Sequence, residues 1–400
     1  MALFSRQFKR RLQRVLRRVL PVLFMASMML GALILHASLF LSPVGQRIEV
    51  SQTDVWFRVR GVRPPPSDII IAALDEATYR ELGLSHIQPL SRGLVGDLVT
   101  TIAASGAESC FLDLIFRDPG TSQEDNQKLA ASLRALPTFI GAFDYVERDN
   151  IANTAKLVEV FPREEFMTAA TRSVKVNVID VEGVRYFTQP KESERDVLPL
   201  PYSYARWAKL RSAPAYQDLI NFYGPPGTIP TVSIYKILRN DRATNEALLK
   251  GKMVAVGNTL ATGLSYSLKD SFVTPTSSRP MAGVEIHATV LGNLRTGSWI
   301  HRTPLPIELQ LLSAVLLVVS GVFFTLPAGP ALVFYAFVTA TWSVWAYLWF
   351  LQDKFLPGTL VFYVVLPLAL IVAILAKHRT LKGKLKYLGG MLGISDGLDD

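Results

Sequence analysis

The sequence predicts an α/β domain, a mixed sheet with flanking helices, held outside a membrane by four transmembrane α-helices, one N-terminal and three C-terminal. Three observations carry this. Apolar runs at residues 20–41, 307–326, 331–351 and 355–376 each reach the length, about 20 residues, that crosses a hydrocarbon core as a helix. The polar segment between the first two, residues 42–306, is large enough to bury a core of its own. Inside it, short β-branched runs alternate with helical patterns, the signature of helices packed on a sheet.

The elements follow in order. Residues 1–19 form a basic amphipathic flank. Phe4, Phe8, Leu12, Val15, Leu16 and Val19 recur at helical spacing with arginines between them, suited to an anionic inner leaflet. The run at 20–41 is too long for the apolar part of a cleaved signal peptide and no small-residue cleavage site follows it, so it reads as an anchor. After the loop GVRPPPS, the run DIIIAALDE (68–76) is a buried strand ending in acids. A helical pattern runs to Leu82, and a second helix over 92–105 stops at Gly106. ESCFLDLIF (108–116) is the next buried strand, followed by a helix over 124–136 and the strand TFIGAFDY. VKVNVIDVEGVRYFT (174–188) reads as one hairpin turning at 181–183. A loop over 189–201 precedes a helix over 202–210. LINFYGPPGTIPTVSI (219–234) reads as a strand and a Gly-Pro turn, with a helix near 235–238. KMVAVGNTL (252–260) is the last buried strand. A loop to Pro280 and a helix over 284–294 return the chain to the membrane.

Charge gives the orientation. Arg6, Lys9, Arg10, Arg11, Arg14, Arg17 and Arg18 precede the first run. Lys377, Arg379, Lys382, Lys384 and Lys386 follow the last, opposed only by Asp396, Asp399 and Asp400. These flanks account for the net charge of +9, and the remainder is balanced. The excess is therefore a positive-inside signal at two cytoplasmic ends, and it implies the lipid bilayer and no nucleic acid as a partner. His36 and Glu308 stand almost alone as ionisable groups in the runs, which favours an anchor or assembly surface over an ion pathway. The aromatics Trp342, Trp345, Tyr347, Trp349 and Phe350 read as an interfacial belt. The single cysteine, Cys110, sits in an apolar strand and reads as a buried thiol.

Candidate chemistry lies at the strand ends. Asp75 and Asp113 fall at the carboxyl ends of buried strands, where ligands of open α/β sheets sit. Asp270, Glu285 and His287 fall in the loop and helix start after the last strand, and the five together offer a site for a cation or polar ligand. The competing reading is preferred: the two aspartates cap helices or turns, and Glu285 and His287 are satisfied polar groups beside a helix N-terminus. Glu285-x-His287 is not the one-turn spacing of a zinc helix, so no metal and no cofactor is expected. Asp180 and Arg185 read as a pair flanking the hairpin turn. Gly183, Gly224 and Gly257 read as positions needing positive φ or close approach. There is no catalytic residue to nominate: GLSYS (263–267) lacks the second glycine of a nucleophile elbow, and no glycine-rich phosphate loop follows a strand. An envelope hydrolase is the weakest reading on that ground.

The stretches DIIIAALDE, AASGAESCFLDLIF, NVIDVEGVRYF, FYGPPGTIPTVSI, VAVGNTLATGLSYSLKDSFVTP and MAGVEIHATVLGNL, in this order between such helices, resemble the type-two CHASE family of bacterial extracellular sensory domains. The resemblance spans residues 53–297 and the three helices after it. It departs before Arg92, where LSHIQPLSR keeps only Pro89 and Arg92 of a Trp-Pro-rich segment. A catalytic output domain usually follows in such receptors, whereas residues 377–400 are a short tail without a catalytic signature. The resemblance implies a bacterial inner-membrane protein with a periplasmic sensory domain. Two readings stay open: a non-catalytic sensor acting in trans on a periplasmic or membrane protein partner, and a scaffold subunit of a homo- or hetero-oligomeric assembly.

Overall fold

The computed structural model describes residues 22–378 apart from 86–89, 121, 150–153, 181–182, 188–196, 211–213, 216–217, 261–269 and 356–357. The amphipathic flank, Pro89, the GLSYS segment and the tail from 379 lie outside the described residues. By contacts the chain divides into two compact units, Met1–Trp56 with Thr303–Asp400, and Phe57–Arg302.

The first unit holds four helices long and apolar enough to cross a membrane: α1 (Val22–Phe40), α11 (Leu305–Thr325), α12 (Ala328–Phe350) and α13 (Leu360–His378). The helix α2 (Pro43–Arg60) follows α1, and the boundary between the units falls within it. Two expected starts shift. α12 begins at Ala328, because Pro327 precedes it and Pro330 lies in the first turn, where its missing N–H costs no helix bond. α13 begins at about Leu360 rather than 355, and its first six residues form a π-helical turn.

The first turn of α13 is fixed by an acid that the sequence reading passed over. Glu49 on α2 is buried and accepts from the backbone N–H groups of Gly358 (2.8 Å), Thr359 (2.9 Å) and Leu360 (2.8 Å). A carboxylate at a helix N-terminus satisfies orphan donors and opposes the macrodipole. Thr359 Oγ1 adds a bond to Gln52 at 2.5 Å. At the other end, Lys377 Nζ donates to the carbonyls of Phe323 and Leu326, closing the C-terminus of α11. Trp342 stacks on Phe362 at 4.4 Å between centroids, joining α12 to α13.

The second unit is built on a seven-stranded sheet. Its strands are β1 (Ile69–Leu74), β2 (Ser109–Leu112), β3 (Thr138–Asp149), β4 (Thr154–Val160), β5 (Arg172–Lys175), β8 (Thr231–Ser233) and β9 (Met253–Asn258). They run in the order β4-β3-β2-β9-β1-β8, with β5 on β3. All pairs are parallel except β3–β4. β1 is buried at every position, which is why its sequence is an unbroken apolar run instead of an alternation. Successive side chains face opposite layers. Ile70, Ala72, Cys110, Leu112, Ile140, Val254 and Val256 pack with α4 (Arg92–Ala104), α5 (Gln123–Ser132), α8 (Ile234–Arg239) and α9 (Arg242–Leu249). The other face receives α7 (Leu200–Trp207) and α10 (Gly283–Thr296).

Four expectations change. LINFY is not a sheet strand: Leu219 exchanges backbone bonds with Ile300, and Ile220 N–H donates to Arg185 O, so the segment is buried against loops. The strand of that region is β8, after the Gly-Pro turn. The hairpin at 174–188 splits, because Val174 and Lys175 belong to β5, while β6 (Val178–Asp180) pairs with β7 (Val184–Phe187). The loop to Pro280 contains a hairpin, β10 (Ser271–Thr274) with β11 (Ser277–Ala282). β4 and α9 were not anticipated at all.

Candidate functional site

α10 explains the site. It is buried on all sides, yet it carries Glu285, His287, Thr289 and Asn293. A buried polar group needs a partner, or it costs on the order of 1–3 kcal/mol. Three of the four have one. Glu285 accepts from the N–H groups of Gly227 (2.9 Å), Thr228 (3.1 Å) and Ile229 (3.4 Å) and so ties the Gly-Pro turn to α10. Burial raises its pKa, opposed by those backbone bonds. Thr289 Oγ1 donates to Glu285 O. Asn293 accepts from Asn221 N–H at 2.8 Å and donates to Asn221 O at 3.1 Å.

His287 is the exception. Its ring stands edge-on between Phe111 (5.5 Å, 78°) and Phe187 (5.7 Å, 71°), and Nδ1 has no hydrogen-bond partner. Nε2 faces Asp113 Oδ2 at 3.7 Å, with side chains only 3% and 7% exposed. Asp113 continues β2: its N–H donates to Val256 O, and alternation turns its side chain toward α10. Its Oδ2 is likewise unpartnered. Burial, then the nearby Asp270 carboxylate, hold the Asp113 carboxyl well above its usual range. Burial also raises Asp270, and it pushes the His287 imidazole down to about 3. At neutral pH the imidazole is therefore uncharged, and the acid beside it is shifted toward its protonated form.

Two glycines make the approach fit. A Cβ at Gly257 would lie 2.6 Å from Val284 Cβ and 3.1 Å from Asp113 Cβ. A Cβ at Gly283 would collide with the Asp270 carboxylate, and Gly283 N–H donates to Asp270 O at 3.0 Å. Asp113, Asp270 and His287 thus converge where the carboxyl ends of β2 and β9 meet the first turn of α10.

The other two expected members lie elsewhere. Asp75 is the N-cap of α3 (Glu76–Leu82), accepting from Thr78 N–H at 2.8 Å and from Ser233 Oγ at 2.5 Å. Glu285 faces the 227–229 turn. Among the described residues no group of three His, Cys, Asp or Glu side chains is placed to hold a metal ion. Gly183 has φ +115°, and Arg185 Nη1 donates to its carbonyl. The Asp180 side chain lies outside the described residues. A Cβ at Gly224 would collide with Thr228 Oγ1 at 2.5 Å. Arg92 is buried, donates to Asn126 Oδ1 and Asp118 O, and lies over the Phe166 ring, so it pins the loop after β2. The aromatic walls Phe111 and Phe187 escaped the sequence reading, because a strand phenylalanine is read as core.

The chain thus combines an α/β sheet domain, with a buried polar cluster at the carboxyl edge of the sheet, and four helices long and apolar enough to cross a membrane. The chain belongs to the CHASE2 domain family, whose family model matches residues 29–326. CHASE2 domains are extracellular sensory domains. The match begins before the expected residue 53, taking in α1 from residue 29, and of the three helices expected after 297 it takes in α11 and ends at 326. No curated protein and no solved structure matches the chain.

Proposed function

We propose that this chain is a non-catalytic sensor of the bacterial inner membrane, with a periplasmic domain, cytoplasmic termini and a protein partner that receives the signal. Input falls on the Asp113–Asp270–His287 cluster and is passed along the juxtamembrane helix α2 to the membrane bundle. The carrying observation is the pair of unpartnered buried atoms, Asp113 Oδ2 and His287 Nδ1, in a domain of a sensory family. Replacing a buried polar pair by well-packed apolar side chains is often neutral or stabilising, so stability alone does not call for this one. Retaining it supports a role in state change. The basic flanks support the orientation.

Hydrogen–deuterium exchange on the full chain in mild detergent tests the coupling without knowledge of the stimulus. Asp113→Asn is expected to change exchange at the amides of residues 43–56 as well as around β2. A change confined to β2 and its neighbours would overturn the sensor reading. A discrete particle of many copies in mass photometry would then favour the scaffold.

A further inference from the structure

The cluster is tightly walled. Phe111 and Phe187 box the imidazole, Gly257 leaves no space beside Asp113, and Gly283 leaves none beneath Asp270. We propose that the input taken up by Asp113, Asp270 and His287 is a proton, exchanged with the external solution. This rests on the sensor reading and names its stimulus.

The groups that face Asp113 set the direction. Asp270 approaches from the segment before β10, and His287 from α10. Glu285, also on α10, is turned to the 227–229 turn. β9 contributes Gly257 and Asn258 and β7 contributes Phe187, none of them titratable. Arg185 on β7 donates to Gly183 O. The protonated form of Asp113 is thus favoured by burial and by the like charge of Asp270. Proton release to water leaves two carboxylates at one edge of the sheet, beside a neutral imidazole that supplies no compensating charge. Two like charges in one site repel strongly enough to separate their titrations by more than a pH unit.

The repulsion has a lever. Asp270 and Gly283 are the two feet of the β10–β11 hairpin, joined by the single bond from Gly283 N–H to Asp270 O. Gly283 is also the first residue of α10. Charging Asp113 pushes the Asp270 foot away from the first turn of α10 and strains that bond. Val273 of the same hairpin lies against Gly183 of the β6–β7 hairpin, so both hairpins respond together.

Infrared difference spectroscopy on the full chain in lipid nanodiscs, titrated from about pH 5 to about pH 10, reads the carboxylic acid carbonyl directly. The wild type is expected to show a protonated-acid band that disappears as pH rises. The band is expected to be missing in Asp113→Asn, which keeps the shape and neutrality of the protonated acid. Asp270→Asn removes the like charge and is expected to move the midpoint down by about one pH unit or more. No alkaline loss of such a band, the same band in Asp113→Asn, or an unmoved midpoint in Asp270→Asn would each overturn the proposal. If the band fails while Asp113→Asn still alters exchange at residues 43–56, the sensor stands with another stimulus. If the band titrates without that coupling, the proton site stands and the sensor falls.

Discussion

His287 is held neutral by burial among aromatic rings, and the sign of its effect on stability follows. Its folded pKa, about 3, lies below the ordinary 6.5. The stability it contributes is therefore present above pH 6.5 and lost as pH falls toward 3, where the unfolded chain takes up the proton first. His287→Leu is expected to unfold with a shallower acid dependence over that window, measured by denaturant titration at several pH values. An unchanged slope would show that the imidazole is already charged in the fold. Asp113 acts in the opposite sense: with its folded pKa raised, its contribution is full below the ordinary carboxylate range and is lost as pH rises through the folded value. Gly257→Ala places a methyl 2.6 Å from Val284 Cβ, so α10 must shift from the sheet. A cost of about 1–3 kcal/mol is expected for such overpacking, visible as a lower thermal midpoint.

Elements are joined here by acids that grip backbone. Glu49 holds the start of α13, and Glu285 holds the 227–229 turn. Replacing either by alanine leaves several N–H groups without their acceptor, a loss of about 2–4 kcal/mol. Glutamine, with one carbonyl oxygen, should restore part of it. Thermal midpoints of the two Glu→Ala and two Glu→Gln variants in detergent check this, and equal midpoints for Ala and wild type would refute it. Neither grip was legible in the sequence, because a glutamate reads as solvated surface and the backbone it meets lies 56 or more residues away. The strands β1, β2 and β9 were legible, since burial on both faces writes an unbroken apolar run. β4 and the β10–β11 hairpin were not, as their short runs mix polar and apolar residues and their pairing is set by neighbours. Of the candidate site, Asp113 was named at a strand end and Asp270 and His287 in the loop and helix start after the last strand, and the structure brings these three together. The separation of Asp75 and Glu285 from them depends on which face each strand and helix turns inward, which spacing alone does not give.

Across the whole unit Phe57–Arg302, the two edges of the sheet are treated differently. At the amino edge Arg295 closes the structure, forking onto both oxygens of Glu108 at 2.9 Å each, with further bonds to Asp68 and the Tyr204 hydroxyl. Its hydrogen bonds to Glu108 raise its pKa, so the charge is permanent. Arg295→Lys keeps the charge and loses the fork, and a drop of about 1–2 kcal/mol is expected in denaturant unfolding, discounted for partial exposure. No drop would mean that solvent screens the network fully. The carboxyl edge, by contrast, leaves one oxygen of its acid and one nitrogen of its imidazole without a partner. Between the two edges lies Cys110, the one cysteine of the chain, fully buried on β2 with burial pushing its thiol above the ordinary range. The wild-type chain is consequently its own unreactive blank. A cysteine introduced at an exposed site, such as Arg279 on the β10–β11 hairpin, becomes the sole target of a thiol reagent. The side of the membrane on which each segment lies, and the opening of that hairpin, can then be read one position at a time with the native thiol left in place.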